Sequence, residues 1–170
     1  IHRADVHAAL ARDIPAARTT MNAHCTGVHA EGGRAFARFA DGQVFEADLI
    51  VGADGVRSVV RDALWGAEPA RYTGHMCWRA LVEVDHHPLP FVRPDASFWL
   101  GPKGHVVTYY VKGGRQVNVV AIAENSAWVE EAWNVKSSPQ ELFDAFHGWH
   151  ENLMELFRRA DPDAIYKWGL

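Results

Sequence analysis

Cysteine is scarce in this 170-residue sequence: Cys25 and Cys77 are its two cysteines, and no C-x-x-C spacing joins them to a metal or redox pattern. A disulfide framework and a cysteine zinc site are thereby excluded, and a reducing compartment, the cytoplasm, is the expected home. Long apolar runs are missing too. The longest, such as Val119–Ala123, fall far below the roughly 20 residues that span a bilayer. Charge of one sign is concentrated nowhere: 17 Lys and Arg against 21 Asp and Glu give a formal net charge of −4, which argues against a nucleic-acid surface and against a basic helix lying on a membrane. The chain opens at Ile1 without Met and without the regions of a signal peptide, so it reads as a piece of something longer. Ser58 is not framed as Gly-x-Ser-x-Gly, the elbow that hydrolases use to expose a nucleophile. Among ten histidines, His147 and His150 flank Gly148 with no third ligand at a convincing spacing, so no metal site is expected.

What is present is the profile of a folded protein: 48% hydrophobic and 22% charged residues, with seven Trp and eight Phe to fill a core. Val6, Ala9, Leu10 and Ile14 recur at helical spacing and predict a helix over 2–14, stopped by Pro15. From Thr19 to Glu46, Gly32-Gly33 and Asp41-Gly42 punctuate mixed apolar and polar runs, predicting three antiparallel strands. Leu49-Ile50-Val51 reads as a buried strand that enters a Gly-Ala-Asp-Gly turn, and Arg57 to Leu64 as the helix that follows.

After Gly66 the character changes. Prolines and the His86-His87 loop separate strand-like runs, so a second domain is expected from about Ala67. Phe98-Trp99-Leu100 predicts a short strand, and His105–Lys112 with Arg115–Ala123 predict a hairpin around Gly113-Gly114. Ser138-Pro139-Gln140-Glu141 carries the signature of a helix start, and a further helix is expected over 151–159. The fold class is α+β, divided into 1–66 and 67–170.

Chemistry concentrates in two places. The Gly52-Ala53-Asp54-Gly55 turn sets a carboxylate and backbone amides at the mouth of a helix, an arrangement suited to ribose hydroxyls, water or phosphate. The plainer reading is a tight turn whose Asp54 caps the helix. On the later strand, residues 105, 107 and 109 point to one face, bringing His105, able to accept a proton near neutral pH, and Tyr109, able to orient one, to the same side. The alternative is an exposed His105 and a core Tyr109, while Tyr110 points the other way.

Asp54-Gly55 followed by Ser58 and Arg61 resembles the motif of FAD-dependent aromatic hydroxylases. The order of other features is similar: Arg3 in its helix, Trp99-Leu100-Gly101-Pro102, His105 to Tyr109, Gly113-Gly114-Arg115 with Val117-Asn118, and Trp149. The resemblance is strongest to the salicylate and hydroxybenzoate hydroxylase branch and covers nearly the whole chain. It implies the central part of a Rossmann-like FAD-binding domain in 1–66 and an antiparallel-sheet substrate domain with helices in 67–170. It also implies a parent monooxygenase of aromatic catabolism in which NADH or NADPH reduces FAD and a flavin hydroperoxide hydroxylates a phenolic or benzoate-type ring.

The N-terminal Gly-x-Gly-x-x-Gly turn and the C-terminal Gly-Asp motif of that family have no counterpart here, so this chain alone is expected to be inactive. By position, the resemblance assigns Arg3, otherwise a surface helix charge, with Asp54, Gly55, Arg57, Ser58 and Arg61 to the cofactor, and His105 and Tyr109 to catalysis. Read from the residues, Arg79 on its strand could meet a carboxylate of the ring or be a surface cation, and Trp99 with Phe98 could wall an aromatic pocket or pack in the core. A base or relay beside the phenol is what activation of the ring requires. The family's Pro after that Tyr is replaced here by Tyr110. The partner is then a small aromatic substrate, with no nucleic acid and no membrane, and a homodimer is the assembly considered. Two rival readings stay open: another flavoprotein oxidoreductase of the same superfamily, and a truncated, non-catalytic interaction or dimerisation module.

Overall fold

The computed structural model describes residues 3–84, 89–125 and 135–170; the expected His86-His87 loop lies outside them. The chain divides into two compact units, Tyr72–Leu170 together with the first residues up to Val6, and His7–Arg71.

The larger unit is a six-stranded antiparallel sheet with two helices on one face. Its strands are β4 (His75–Glu83), β5 (Ser97–Gly101), β6 (Gly104–Val111), β7 (Gln116–Glu124), β8 (Val135–Lys136) and β9 (Tyr166–Gly169), in the spatial order β5-β6-β7-β4-β9-β8. Period-two alternation builds the core. Met76, Trp78, Ala80 and Val82 of β4, Val117, Val119 and Ala121 of β7 and Val106 of β6 share one face, each 3% exposed or less.

Helices α3 (Pro139–Ala145) and α4 (Glu151–Arg158) supply Leu142, Leu153, Leu156 and Phe157 to the same core. Phe146, fully buried, stands between Trp149, Phe157 and Trp78 with ring centroids 5.0, 5.5 and 6.0 Å away, in edge-to-face arrangements that add to simple burial.

Ser138 caps α3 as its sequence predicts, its hydroxyl accepting from the Glu141 amide at 3.3 Å. The Glu141 carboxylate does not turn back to the cap. It accepts from Lys167 Nζ and Ser137 Oγ, both at 2.6 Å, and Ser137 accepts from Trp78 Nε1 at 3.1 Å, so α3 is tied to β9 and to the core. These contacts, Lys167 foremost, hold the Glu141 carboxyl below its ordinary range. The β6–β7 connection is longer than the expected two residues. Val111 pairs with Gln116, and Lys112, Gly113 and Gly114 all take left-handed backbone (φ +54°, +66° and +88°), which explains the glycine pair.

The smaller unit holds a three-stranded antiparallel meander, β1 (Cys25–Glu31), β2 (Arg34–Phe39) and β3 (Val44–Ala47), and the helix α2 (Val59–Trp65). The first turn is the expected two-residue Gly32-Gly33 with both φ positive. The helix α1 (Arg3–Arg12) begins the chain and buries none of its residues. One expectation is corrected. Leu49-Ile50-Val51 has no ladder partner, and Leu49 and Val51 are 75% and 78% exposed; apolar residues alone do not make a strand where no neighbouring strand accepts its backbone bonds.

Candidate active site

The helix-free face of the six-stranded sheet carries the polar groups that the core cannot hold. Directly paired residues of antiparallel strands share a face, so the register lays out three rows. Val107, Val120, Arg79 and Tyr166 form the middle one, with Phe98 at its β5 end. On one side lie Tyr109, Asn118 and Leu81; on the other lie His105, Ile122, Cys77 and Trp168. Val107 and Val120 thus make an apolar floor with polar groups at both ends and Arg79 beside it.

His105 and Tyr109 do share this face, both half-buried. They are four residues apart on one strand, however, which separates their backbones by about 13 Å at the usual rise per residue. Tyr109 therefore does not orient His105 directly; each serves a different end of the floor. Arg79 is exposed on the same face. Cys77 is buried, and that burial, partly offset by Arg79, pushes its thiol up to about 12, so it stays protonated and is no nucleophile.

Trp99 stands elsewhere. Its indole donates to Thr108 Oγ1 at 3.2 Å on the helix-packed face, and its ring lies 5.9 Å from that of His150. Pairing with Val106 thus sets Trp99 on the face opposite His105. Phe98, its neighbour, faces the open side at 66% exposure. Tyr110 points away from Tyr109 as expected and pins residues 89–92, its hydroxyl accepting from Leu89 N at 3.2 Å and donating to Val92 O at 3.3 Å.

In the smaller unit, the turn at 52–55 is locked onto α2. Asp54 accepts from the Ser58 hydroxyl and from the amides of Val59 and Val60 at 2.8 and 3.3 Å. Ser58, 8% exposed, accepts in turn from the Arg61 amide at 3.0 Å. Arg61 donates to Val56 O at 2.8 Å and pairs with Asp62 at 2.9 Å. The Ser58 bond is the largest cause holding the Asp54 carboxyl below its ordinary value of 3.8. A Cβ on Gly52 would come within 2.6 Å of Val60, so the close approach of this segment to α2 needs glycine there.

Against a dinucleotide, this set fits in part. The turn presents an exposed, fixed anion at Asp54 and open space at Gly55, whose φ is +81°. The amides at the start of α2 are taken by Asp54, and Ser58 and Arg61 are spent on the turn itself. Asp54, Gly55 and Arg57 are exposed, as is Arg3 on α1. A cavity of about 260 Å³ behind the turn is lined mainly by apolar residues of β1, β2 and the 50–54 segment, with Val60.

Comparison with known proteins gives this geometry a context. No family model matches the chain. Over 170 residues it is 37% identical to a 3-amino-4-hydroxybenzoate 2-monooxygenase of Streptomyces platensis, covering 100% of this chain and 42% of that protein. Its fold superposes on a salicylate hydroxylase substrate complex with a TM-score of 0.79 at 25% identity, covering all of this chain and 46% of the other. It superposes on HpxO of Klebsiella pneumoniae, complexed with FAD and uric acid, with a TM-score of 0.84 at 21% identity, covering 100% of this chain and 43% of that one. Over its whole length the chain is thus similar to monooxygenases and hydroxylases of hydroxybenzoate- and salicylate-type rings. It spans less than half the length of these relatives. No helix among the described residues is long and apolar enough to cross a membrane.

Sequence reading missed part of the open face. Tyr166, Trp168 and Cys77 reach it only because β4 lies beside β7 and β9 beside β4, long-range pairings without a local signal. Asn118 was visible, since it alternates with Val117 and Val119, but its meaning depends on what stands opposite.

Proposed function

We propose that this chain is the ring-binding sheet and part of the cofactor unit of an FAD- and NAD(P)H-dependent monooxygenase that hydroxylates a phenolic, benzoate-type ring. The observation that carries the reading is the apolar floor of Val107 and Val120 between two polar ends. A flat ring lies on such a floor, and its substituents meet His105 at one end and Tyr109 at the other, with Arg79 in reach of a carboxylate. FAD, when bound, supplies oxygen activation: one atom of O2 enters the ring, the other leaves as water, and NAD(P)H provides the two electrons.

Within this reading His105 accepts the phenol proton through an imidazole nitrogen, which raises electron density at the ring carbon to be hydroxylated. Tyr109 donates to the substituent at the opposite end. Asp54, Gly55, Arg57 and Arg3 are the groups assigned toward the cofactor, with Ser58 and Arg61 holding the turn in shape. A cytoplasmic homodimer belongs to the same reading; both cysteines are free thiols, and sedimentation of the full-length protein tests the assembly.

The test uses the full-length, FAD-loaded protein. NAD(P)H oxidation and a hydroxylated product should appear only with phenolic acids, and reduction without oxygen insertion would favour another flavoprotein oxidoreductase. His105→Gln should slow hydroxylation more than it weakens ring binding; an unchanged rate removes His105 from the mechanism. Asp54→Ala should weaken FAD retention or NAD(P)H-driven reduction, and wild-type behaviour in both would leave Asp54 as a helix cap alone.

A further inference from the structure

Asn118 is a buried polar residue of the open face with a side-chain donor left unpartnered. It lies in β7 between Tyr109 of β6 and Leu81 of β4, directly paired with both. It is 7% exposed, and its amide Nδ2 has no hydrogen-bond acceptor among the described residues. Buried polar groups are overwhelmingly partnered, and an orphan donor in a sheet interior calls for an acceptor from outside the chain. The buried Thr108, Ser58 and Ser137 differ, whereas the side-chain oxygen of Gln116 on the same face is likewise unpartnered. Thr108 accepts from Trp99, Ser58 bonds Asp54 and Arg61, and Ser137 bonds Trp78 and Glu141.

The surroundings say what that acceptor is. Tyr109 stands directly opposite, and Arg79, paired with Val120, is the diagonal neighbour, within reach of a long side chain. A phenol O–H, a carboxamide N–H and a guanidinium carried by neighbouring register positions at one edge of an apolar floor make that edge rich in donors, matched by an oxygen with several lone pairs. We infer that Asn118 is a specificity-determining residue that donates through Nδ2 to the carboxylate of the bound aromatic acid, beside Tyr109 and Arg79. The inference rests on the ring-binding reading of this face and deepens it: the substrate is an aryl carboxylate whose hydroxyl lies at the His105 end.

The test measures dissociation constants, by perturbation of flavin absorbance, on the full-length, FAD-loaded protein. Three probes are used: 3-amino-4-hydroxybenzoate, the same ring without carboxylate (2-aminophenol), and the same ring without hydroxyl (3-aminobenzoate). The wild type should prefer the two acids over 2-aminophenol. Asn118→Leu should weaken both acids about tenfold and leave 2-aminophenol within twofold, flattening the preference. The same variant should unfold at the same temperature as the wild type or slightly above it without ligand, because an apolar isostere replaces an unsatisfied donor. A merely structural Asn118 predicts the opposite, a lower unfolding temperature with the carboxylate preference kept.

Asn118→Asp supplies the second variant. It keeps the shape but sets a carboxylate against the ligand's own, and should weaken the acids more than Asn118→Leu does. Acids bound equally by the wild type and both variants would overturn the inference while leaving the ring-binding reading in place. The wild type should also bind 3-amino-4-hydroxybenzoate more tightly than 3-aminobenzoate, and Asn118→Leu should keep that hydroxyl preference; its loss in the variant would overturn the stated orientation. A wild type that binds none of the probes, while retaining FAD, would overturn both the inference and the reading beneath it.

Discussion

The two units of this chain solve the folding problem to different depths. In Tyr72–Leu170 a sheet face and two helices enclose a continuous core of residues that are nearly all below 8% exposed. In His7–Arg71, Ala37 is the buried hydrophobic residue; its large apolar side chains Leu49, Val51, Leu64 and Trp65 are 61–78% exposed. Yet the smaller unit is not poorly specified. Its turns, its Asp54 and Ser58 cap and its strand register are as well bonded as those of the larger. The comparison separates two things that are often equated: local hydrogen bonding defines a shape, whereas apolar burial stabilises it. The smaller unit has the first and little of the second.

The contrast can be tested by substitutions graded from core to surface. The largest effect is expected for Phe146→Ala, which empties the centre of the ring cluster and should cost about 3–5 kcal/mol, read from urea unfolding; a cost near that of a surface change would mean the cluster is loosely packed. Ser58→Ala should cost about 1 kcal/mol through loss of the α2 cap. That loss should appear in hydrogen exchange of the smaller unit, with the larger unit unchanged.

Glu141→Gln comes next, below about 1 kcal/mol because solvent screens the half-exposed pair with Lys167. Its sign with pH follows from a carboxyl held below its ordinary value of 4.5. The wild type carries this stabilisation in full above that value and loses it as pH falls through the lowered pKa, so the difference between wild type and variant should vanish in acid. The smallest effect is expected for Trp65→Ser. Despite removing the largest side chain type, it should change stability by less than about 0.5 kcal/mol, since Trp65 is 78% exposed. A large loss in the full-length protein but not in this chain would show that the exposed apolar side is covered there.

Much of this was legible in the residues. The glycine pair at 32–33 demanded left-handed backbone and received it, Ser138-Pro139 marked a helix start that formed, and alternation put His105 and Tyr109 on one face. Where reading failed, the cause was a partner. Leu49-Ile50-Val51 has strand composition without a neighbour to pair with. Trp99 looked like a pocket wall until pairing with Val106 placed it on the helix side. Glu141 had the spacing of a capping box, but Lys167, 26 residues away, offered a charged donor that a backbone amide does not match.

By itself, then, the sequence determined the periodicities, the turns that only glycine can make, the helix caps and the kinship of the Asp54-Gly55 motif, because each depends on residues within a few positions of one another. The tertiary structure alone decided which strands are neighbours. From that came the floor of Val107 and Val120, the separation of His105 from Tyr109, the arrival of Cys77, Tyr166 and Trp168 on the same face, and the orphaned amide of Asn118. Pairing between distant strands is set by the burial of a whole sheet face, and no local stretch of chain encodes that.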